Sequence, residues 1–421
     1  MTATTLFTDT RIFDGVSDVL SGPAHVLVSD GVIERISPTP IETAAGRPVS
    51  RIDGTGKVLM PGLIDAHWHA VMAVPSQMVA TTADVGYLHL LAGQEAGATV
   101  LRGFTSVRDL GGPTFGLKRA IDEGAITGPR IWPSGAFISQ TGGHGDFRMP
   151  YEAPRSPGDP LSHSERVGIA AIADGADAVL LRAREQLRQG ASQLKLMAGG
   201  GIASAYDPID GAQYTEAEFR AAVDAAENWG TYVTVHAYTS RAIRMAVAGG
   251  VRCIDHGQLM DEDTARMLAD QGIWLSLQPF LDDEDAVPAA DPRSAQKHKI
   301  MTAGTDTAYE LAKRFGIRTA FGTDTLFDAG LAARQGKQLA KLVRWYSPAE
   351  VLRMATSVNA ELLAMSGPRN PYPGRLGVVA EGALADLILV DGDPIADIRL
   401  IADPARNFAA IMRAGQLVKG G

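Results

Sequence analysis

The stretch Val58-Leu59-Met60-Pro61-Gly62-Leu63-Ile64-Asp65-Ala66-His67-Trp68-His69 is decisive for the fold of this chain. An apolar run of this length, bounded by glycine and proline, predicts a buried strand. Residues i and i+2 of a strand point to the same face, so His67 and His69 project together from its C-terminal end. Two imidazoles placed in this way are able to share one metal ion, although two clustered histidines alone do not establish a metal site.

The central part of the chain alternates apolar segments with helical stretches. The apolar segments predict seven further strands, at residues 105–109, 130–134, 193–197, 232–236, 253–256, 274–278 and 319–324. Helices are predicted at 215–229, which opens with a capping-box pattern, and at 240–248. Eight strand–helix units in about 300 residues favour an α/β fold, the (β/α)8 TIM barrel. A doubly wound open sheet is the alternative, but no glycine-rich phosphate loop at the first turn supports it.

Both ends of the chain carry patterns of short strands separated by turns. These strands are predicted at residues 6–13, 25–28, 32–36, 385–390 and 409–418. Asp30-Gly31 is a strong hairpin turn signal between two of them. Because the middle of the chain lacks this pattern, we expect residues 1–58 and 375–421 to pair into one small β domain, with the barrel at 59–374.

Composition and charge exclude several classes of protein. The chain has 421 residues, of which 45% are hydrophobic and 21% are charged, as in ordinary globular proteins. Its net charge of -9 argues against a nucleic-acid surface. The single cysteine, Cys253, cannot form an intrachain disulfide, and its apolar neighbours predict a buried structural thiol. We find no signal-peptide pattern and no segment long enough to span a membrane, so a cytoplasmic location is expected.

Residues of metal-binding type recur where the predicted strands end. His67 and His69 end the first strand, Lys195 lies in the fourth, His236 ends the fifth, His256 ends the sixth and Asp324 ends the eighth. Barrel enzymes carry their catalytic residues at these C-terminal strand ends, and imidazoles and carboxylates are ordinary ligands of zinc-like metals. Each residue alone also has a structural interpretation, such as an edge lysine or a buried, hydrogen-bonded histidine. Their recurrence at matching positions favours a metal site.

The motifs that carry these residues resemble those of the amidohydrolase superfamily. They are 61–69, Lys195, 235–237, 254–257, 322–324 and the late segment 382–389. The resemblance covers essentially the whole chain and implies a small β-sandwich domain formed by both termini. It further implies that His67, His69 and Asp324 bind a more buried divalent metal, that His236 and His256 bind a second, and that a carbamylated Lys195 bridges the two. Zinc is the expected metal.

The resemblance implies a chemistry in which the two metals share one hydroxide. Two cations lower the pKa of the water that gives this hydroxide. Asp324 accepts the proton of the nucleophile and passes it to the leaving amine. An unmodified lysine ammonium is a poor ligand because it must first lose its proton, whereas a carbamate is anionic and able to bridge.

Three further stretches resemble the branch that contains imidazolonepropionase-like enzymes, Xaa-Pro dipeptidases and ochratoxin-hydrolysing amidohydrolases. They are 141–146, 195–201 and Tyr238, two residues after His236. By this resemblance, His144 and Tyr238 contact the scissile carbonyl or the oxyanion. The structural alternatives are a loop histidine and a core tyrosine. Residues 199–204 are a candidate mobile substrate loop. The candidates for binding a substrate carboxylate are Arg108, Arg148 and Arg182, and the sequence does not rank them.

The expected function is therefore hydrolysis of the amide bond of dipeptides or N-acyl amino acids, including ochratoxin-type amides, by a binuclear metal enzyme. The alternative is a cyclic amide or amidine hydrolase, or a deaminase. Imidazolonepropionase itself uses one metal and would not need Lys195. A barrel that has lost catalysis is disfavoured because all six ligand residues are present. The resemblance also implies a homo-oligomer, with an octamer as one form.

Overall fold

The computed structural model describes residues 4–43, 48–149, 151–156, 158–204, 206–286 and 292–420. Its strands are β1 Thr4–Ile12, β2 Ala24–Ser29, β3 Val32–Ser37, β4 Val49–Asp53, β5 Lys57–Pro61, β6 Leu63–Trp68, β7 Phe104–Asp109, β8 Arg130–Pro133, β9 Phe137–Ser139, β10 Ala170–Ile172, β11 Leu194–Met197, β12 Val233–Thr239, β13 Cys253–Leu259, β14 Trp274–Leu277, β15 Thr319–Phe321, β16 Leu387–Asp391, β17 Phe408–Arg413 and β18 Gln416–Lys419. Its α-helices are α1 Gln77–Thr82, α2 Val85–Leu101, α3 Phe115–Asp122, α4 His163–Arg166, α5 Ala176–Gln189, α6 Glu216–Asn228, α7 Ser240–Ala248, α8 Glu262–Asp270, α9 Pro292–Thr302, α10 Thr305–Phe315, α11 Ala329–Ala332, α12 Gln335–Ala340, α13 Pro348–Arg353, α14 Asn359–Ala364 and α15 Pro404–Asn407.

The central part of the chain is an α/β structure with parallel strands. One sheet has the order β6-β7-β8, and another has the order β10-β9-β11-β12-β13-β14-β15. All eight strands predicted for this part are present, as β6, β7, β8, β11, β12, β13, β14 and β15, whereas β9 and β10 were not predicted. The predicted helices are also confirmed, and the capping box that begins α6 joins Thr215 and Glu218.

The three-stranded parallel sheet meets the larger sheet along both of its edges. Beside β15, the backbone N–H of Asp324 donates to the carbonyl of His67 at 2.8 Å. Beyond β8, the N–H of Ser192 donates to the carbonyl of Pro133 at 2.8 Å, directly before β11. The C-terminal ends of both sets of strands therefore face one region of the molecule.

The apolar run before His67 forms two strands rather than the single strand that its pattern predicted. β5 belongs to the terminal sheet, β6 belongs to the parallel sheet, and Gly62 lies between them. A Cβ atom at Gly62 would lie 2.0 Å from Oγ1 of Thr105, so only glycine allows the chain to pass β7 at this point. The prediction was wrong because continuous hydrophobicity does not distinguish one buried strand from two in sequence.

Strands from both ends of the chain form a mixed sheet, as expected. Its order is β18-β17-β16-β5-β1-β2-β3, and β4 pairs with β1. The pairing of β5 with β16 is antiparallel and joins the two ends of the chain. A buried ion pair between Arg130 and Asp386, at 2.7 Å, connects this sheet to β8. None of the described helices is long and apolar enough to cross a membrane.

Candidate functional site

A cavity of about 320 Å³ opens at the C-terminal ends of the parallel strands. All eight residues predicted for the site line this cavity: His67, His69, His144, Lys195, His236, Tyr238, His256 and Asp324. They come from β6, β11, β12, β13 and from the segments that follow β6, β9 and β15. Functional side chains were expected at the C-terminal ends of parallel strands, here called the strand-end rule. This rule brings together His67 and Asp324, which lie about 260 positions apart in sequence.

His67, His69 and Asp324 form a compact group. Oδ1 of Asp324 lies 3.2 Å from Nε2 of His67 and 3.1 Å from Nε2 of His69. Ligand atoms of the three residues all lie within 4.8 Å of one another, and both histidines are buried. The close approach of β15 to β6 depends on Gly322, where a Cβ atom would lie 2.4 Å from Cβ of His67. This group is able to hold a metal ion.

The remaining aromatic residues of the site extend from this group through ring contacts. The ring centroids of His67 and His256 are 5.0 Å apart, and those of His256 and His236 are 4.5 Å apart. His144 stacks on His236 at 4.2 Å, and Tyr238 contacts the rings of both His236 and His256. The four metal-ligand histidines predicted from sequence, together with His144 and Tyr238, therefore form one continuous cluster, in which His144 is half-buried and the others are buried.

Lys195 enters the site from β11 and pairs with a carboxylate in the interior. Its Nζ lies 2.5 Å from Oδ2 of Asp255, which also accepts a hydrogen bond from Thr234 at 2.8 Å. The other oxygen of Asp255 lies 2.7 Å from the guanidinium of Arg108. Burial lowers the pKa of Lys195 despite the charge of Asp255. A lowered pKa makes the neutral amine more accessible, which is the form that carbamylation requires.

The protonation states of the cluster fit a cation. Burial lowers the pKa of His67 to about 4 and that of His256 to about 3, so both imidazoles are neutral at physiological pH. Burial alone would raise the pKa of Asp324, but the neighbouring His67 and hydrogen bonds from His67 and His69 hold that pKa well below its usual range. Neutral imidazoles beside an ionised carboxylate are the forms that bind metals.

Gln278 contacts two of these histidines and was not predicted as a site residue. Its Oε1 lies 2.7 Å from Nδ1 of His256, and its Nε2 lies 3.3 Å from Nδ1 of His67. Because an amide oxygen only accepts, Nδ1 of His256 carries the proton and Nε2 keeps a free lone pair on the side of Asp324. Gln278 directly follows β14, so the strand-end rule would have identified it if glutamine had been considered beside the usual ligand types.

The three arginines considered for a substrate carboxylate lie outside the main cavity. Arg108 is fully buried and bonds to Asp255, Tyr232 and the carbonyl of Ala66. Arg148 pairs with Asp146, and Arg182 lines a separate cavity of about 160 Å³. Within the described ranges, no arginine lines the main cavity.

Much of the cavity wall is apolar. Phe137, Phe147, Phe280, Met301, Leu326 and Phe327 contribute to it. The polar side chains beyond the histidine cluster include Asp285, whose carboxylate pairs with Lys341 at 2.5 Å. A cavity of this kind suits a ligand with a large apolar group.

Comparisons with known proteins agree with this geometry. The model of the amidohydrolase family matches residues 58–418. Ochratoxinase from Aspergillus niger is 31% identical over 376 residues, which are 86% of this chain and 76% of that protein. A prolidase crystallised with N-methylphosphonate-L-proline is 36% identical and superposes with a TM-score of 0.91 over 100% of both chains. A Xaa-Pro dipeptidase with bound methionine is 26% identical, with a TM-score of 0.85 over 99% of this chain and 100% of the other.

The chain therefore belongs to the amidohydrolase family, and it is a hydrolase that acts on amide bonds. This agrees with the family resemblance seen in the sequence motifs.

Proposed function

We propose that this protein hydrolyses the amide bond of dipeptides or N-acyl amino acids that carry a large apolar group. The observation that carries the proposal is the convergence of His67, His69, Asp324 and the other predicted site residues on one largely apolar cavity. The similarity to ochratoxinase and to prolidases supports the proposal, because these relatives indicate hydrolysis of amide bonds.

We further propose that the parallel strands close into a (β/α)8 barrel and that the terminal strands form a separate β-sandwich domain. The contacts of β6 with β15 and of β8 with the segment before β11 support closure. The boundary that we propose lies at Gly62, because β5 pairs within the terminal sheet. The C-terminal boundary stays at residue 375.

The residues that would hold two divalent metal ions are those predicted from the sequence. His67, His69 and Asp324 would hold one ion, His236 and His256 the other, and a carbamylated Lys195 would lie between them. Bound there, the ions would polarise the substrate carbonyl and make a nucleophile available at neutral pH. Zinc is the metal proposed, in keeping with the imidazole-rich donor set.

The chain's own side chains would move the protons and stabilise the developing charge. Asp324, held ionised by its histidine neighbours, would take a proton from the attacking water and deliver it to the leaving amine. Burial raises the pKa of Tyr238, so its hydroxyl stays protonated and would donate to the oxyanion. His144 would donate a second hydrogen bond to the same oxygen.

A substrate screen tests this proposal. Dipeptides and N-acyl amino acids with aromatic, aliphatic and charged side chains are incubated with zinc-loaded and chelator-treated protein, and released amines are quantified. We expect a free amino acid from the apolar substrates only with metal present, and release slower by about 10²–10⁴ from the Asp324→Asn variant. Release of ammonia without an amino acid would instead favour a deaminase or a cyclic amidine hydrolase.

A further inference from the structure

A buried lysine outside the cavity wall fastens a loop of the site. Nζ of Lys297, on α9, lies 2.6 Å from the carbonyl of Gly201, 2.6 Å from that of Ser204 and 2.9 Å from that of Asp207. Its side chain is only 10% exposed. These carbonyls belong to the loop between β11 and α6, which the sequence suggested as a mobile substrate loop. Lys297 gives this loop three points of attachment.

The ammonium group of Lys297 donates to three carbonyls of the loop. A lysine ammonium has three protons to donate, and three carbonyls lie within hydrogen-bond distance of it. Oδ1 of Asp207, in the same loop, lies 3.9 Å from its Nζ. Because Lys297 does not line the cavity and its donors are committed, it is unsuited to binding a substrate carboxylate.

The same loop holds His144. Oγ of Ser204 lies 2.6 Å from Nδ1 of His144. Gly201 lies against the ring, where a Cβ atom would be 1.9 Å from Cε1 of His144. The N–H of Gly201 is in turn fixed by Oδ2 of Asp207 at 2.8 Å. The position of the His144 ring therefore depends on the position of the loop backbone.

The loop also selects which nitrogen of His144 carries the proton. The Ser204 hydroxyl has one proton and two acceptors, Nδ1 of His144 at 2.6 Å and the Gly201 carbonyl at 3.4 Å. The contact with Nδ1 is shorter by 0.8 Å, so the bond from the Ser204 hydroxyl to His144 is favoured. When Ser204 donates to Nδ1, the proton of the neutral imidazole lies on Nε2.

We propose that Lys297 is a positioning residue, which fixes the β11–α6 loop so that Ser204 holds His144 with its Nε2–H available to the substrate oxygen. This inference rests on the role of His144 in the proposed function. It assigns to Lys297 and Ser204 an effect on turnover, although neither would touch the reacting atoms.

The test compares variants of the metal-loaded full chain on the best substrate from the screen. Lys297→Met keeps the length of the side chain and removes all three donors, and Lys299→Met, at an exposed position of the same helix, is the matched control. We expect Lys297→Met to lower kcat by roughly 10- to 100-fold with little change in KM. The hydrogen bond that is lost runs from Nε2 of His144 to the substrate oxygen, and it is made mainly in the transition state. For Lys299→Met, kcat should stay within about twofold of wild type, because substitutions at exposed positions away from the site have small effects.

A double-mutant cycle separates positioning from a general loss of structure. Ser204→Ala removes the bond to His144 without disturbing Lys297, so it should reproduce the kcat loss with an unchanged melting temperature. If both residues act through His144, the double variant should lose no more than the larger single loss. Losses that multiply, or a Lys297→Met variant with wild-type kcat, would overturn the proposal.

A spectroscopic readout is independent of any substrate. In protein with ¹⁵N-labelled histidine, the Nε2–H signal of His144, assigned with His144→Gln, should shift in Lys297→Met and Ser204→Ala but not in Lys299→Met. If this shift occurs while the wild type cleaves no amide, the proposed function fails and the positioning role stands. If the wild type cleaves amides and the signal is unchanged, the positioning role alone is refuted.

Discussion

Replacing Asp324 by asparagine removes one charge from the centre of the site and leaves its shape intact. Asp324 follows β15 with a backbone φ of 45°, in the left-handed region, and its Oδ1 lies within 3.2 Å of two imidazoles. Asparagine tolerates this backbone conformation better than most residues do. The amide keeps one oxygen for the histidines or a metal, but it cannot accept a proton.

The size of the effect follows from the role that the geometry allows. A positioned general acid–base group contributes about 10²–10⁴ to the rate, so we expect kcat to fall by this factor, equivalent to about 3–5 kcal/mol. KM should change by less than about threefold, because the proton is transferred only on the way to the transition state. Asp324→Ala should additionally lose about 1–2 kcal/mol of stability through strain at the positive φ.

The assay is steady-state hydrolysis combined with metal analysis and urea unfolding of the same preparations. Equal metal content in Asp324→Asn and wild type, with a kcat loss in the stated range, would support proton transfer by the carboxylate. Near wild-type kcat with the metals bound would refute the assignment. A large loss caused only by missing metal would show that Asp324 acts as a ligand rather than as an acid–base group.

Three further outcomes are expected. Lys195→Ala should lower the metal content below two ions per chain and remove most activity, with partial recovery when short carboxylic acids are added. Full metal occupancy with normal turnover would exclude a metal-bridging role of Lys195. A chain that ends before Gly382 should be insoluble, because β5 loses its partner β16 and exposes an apolar edge, and a soluble, active truncation would contradict this. Metal-free protein should lose stability as the pH falls from about 6.5 towards 4. The pKa of His67 is about 4 in the folded chain and about 6.5 in the unfolded chain. The unfolded chain therefore binds more protons between these two pH values. Urea unfolding at several pH values should show a loss on the order of 3 kcal/mol for this residue, and a flat profile would show that the cluster is not buried in its neutral form.

Much of the site was accessible from the sequence because its residues obey a local rule. His67 and His69 project together by their spacing. His236 and His256 were predicted to end their strands but lie within β12 and β13, which continue to Thr239 and Leu259. The strand-end rule then places all of them at one end of the parallel strands. Periodicity and strand direction are local properties, so they can be read without coordinates.

Partners across the fold were not accessible in this way. Arg108 was a candidate for binding substrate until the structure showed it buried against Asp255, which lies almost 150 positions away. Lys297 has no distinguishing pattern around it, because it donates to backbone carbonyls of a distant loop. Charge pairing depends on which groups become buried together, and burial is decided by packing rather than by spacing.

The sequence by itself therefore determined the strand–helix alternation, the terminal β strands, the family and eight of the residues that line the cavity, because each depends on a short pattern. Only the tertiary structure decided that the run before His67 divides at Gly62, since the division depends on the space left by Thr105 on a neighbouring strand. It likewise decided which charged groups are held away from the cavity and how His144 is oriented. Such features arise from contacts between segments that no local pattern links.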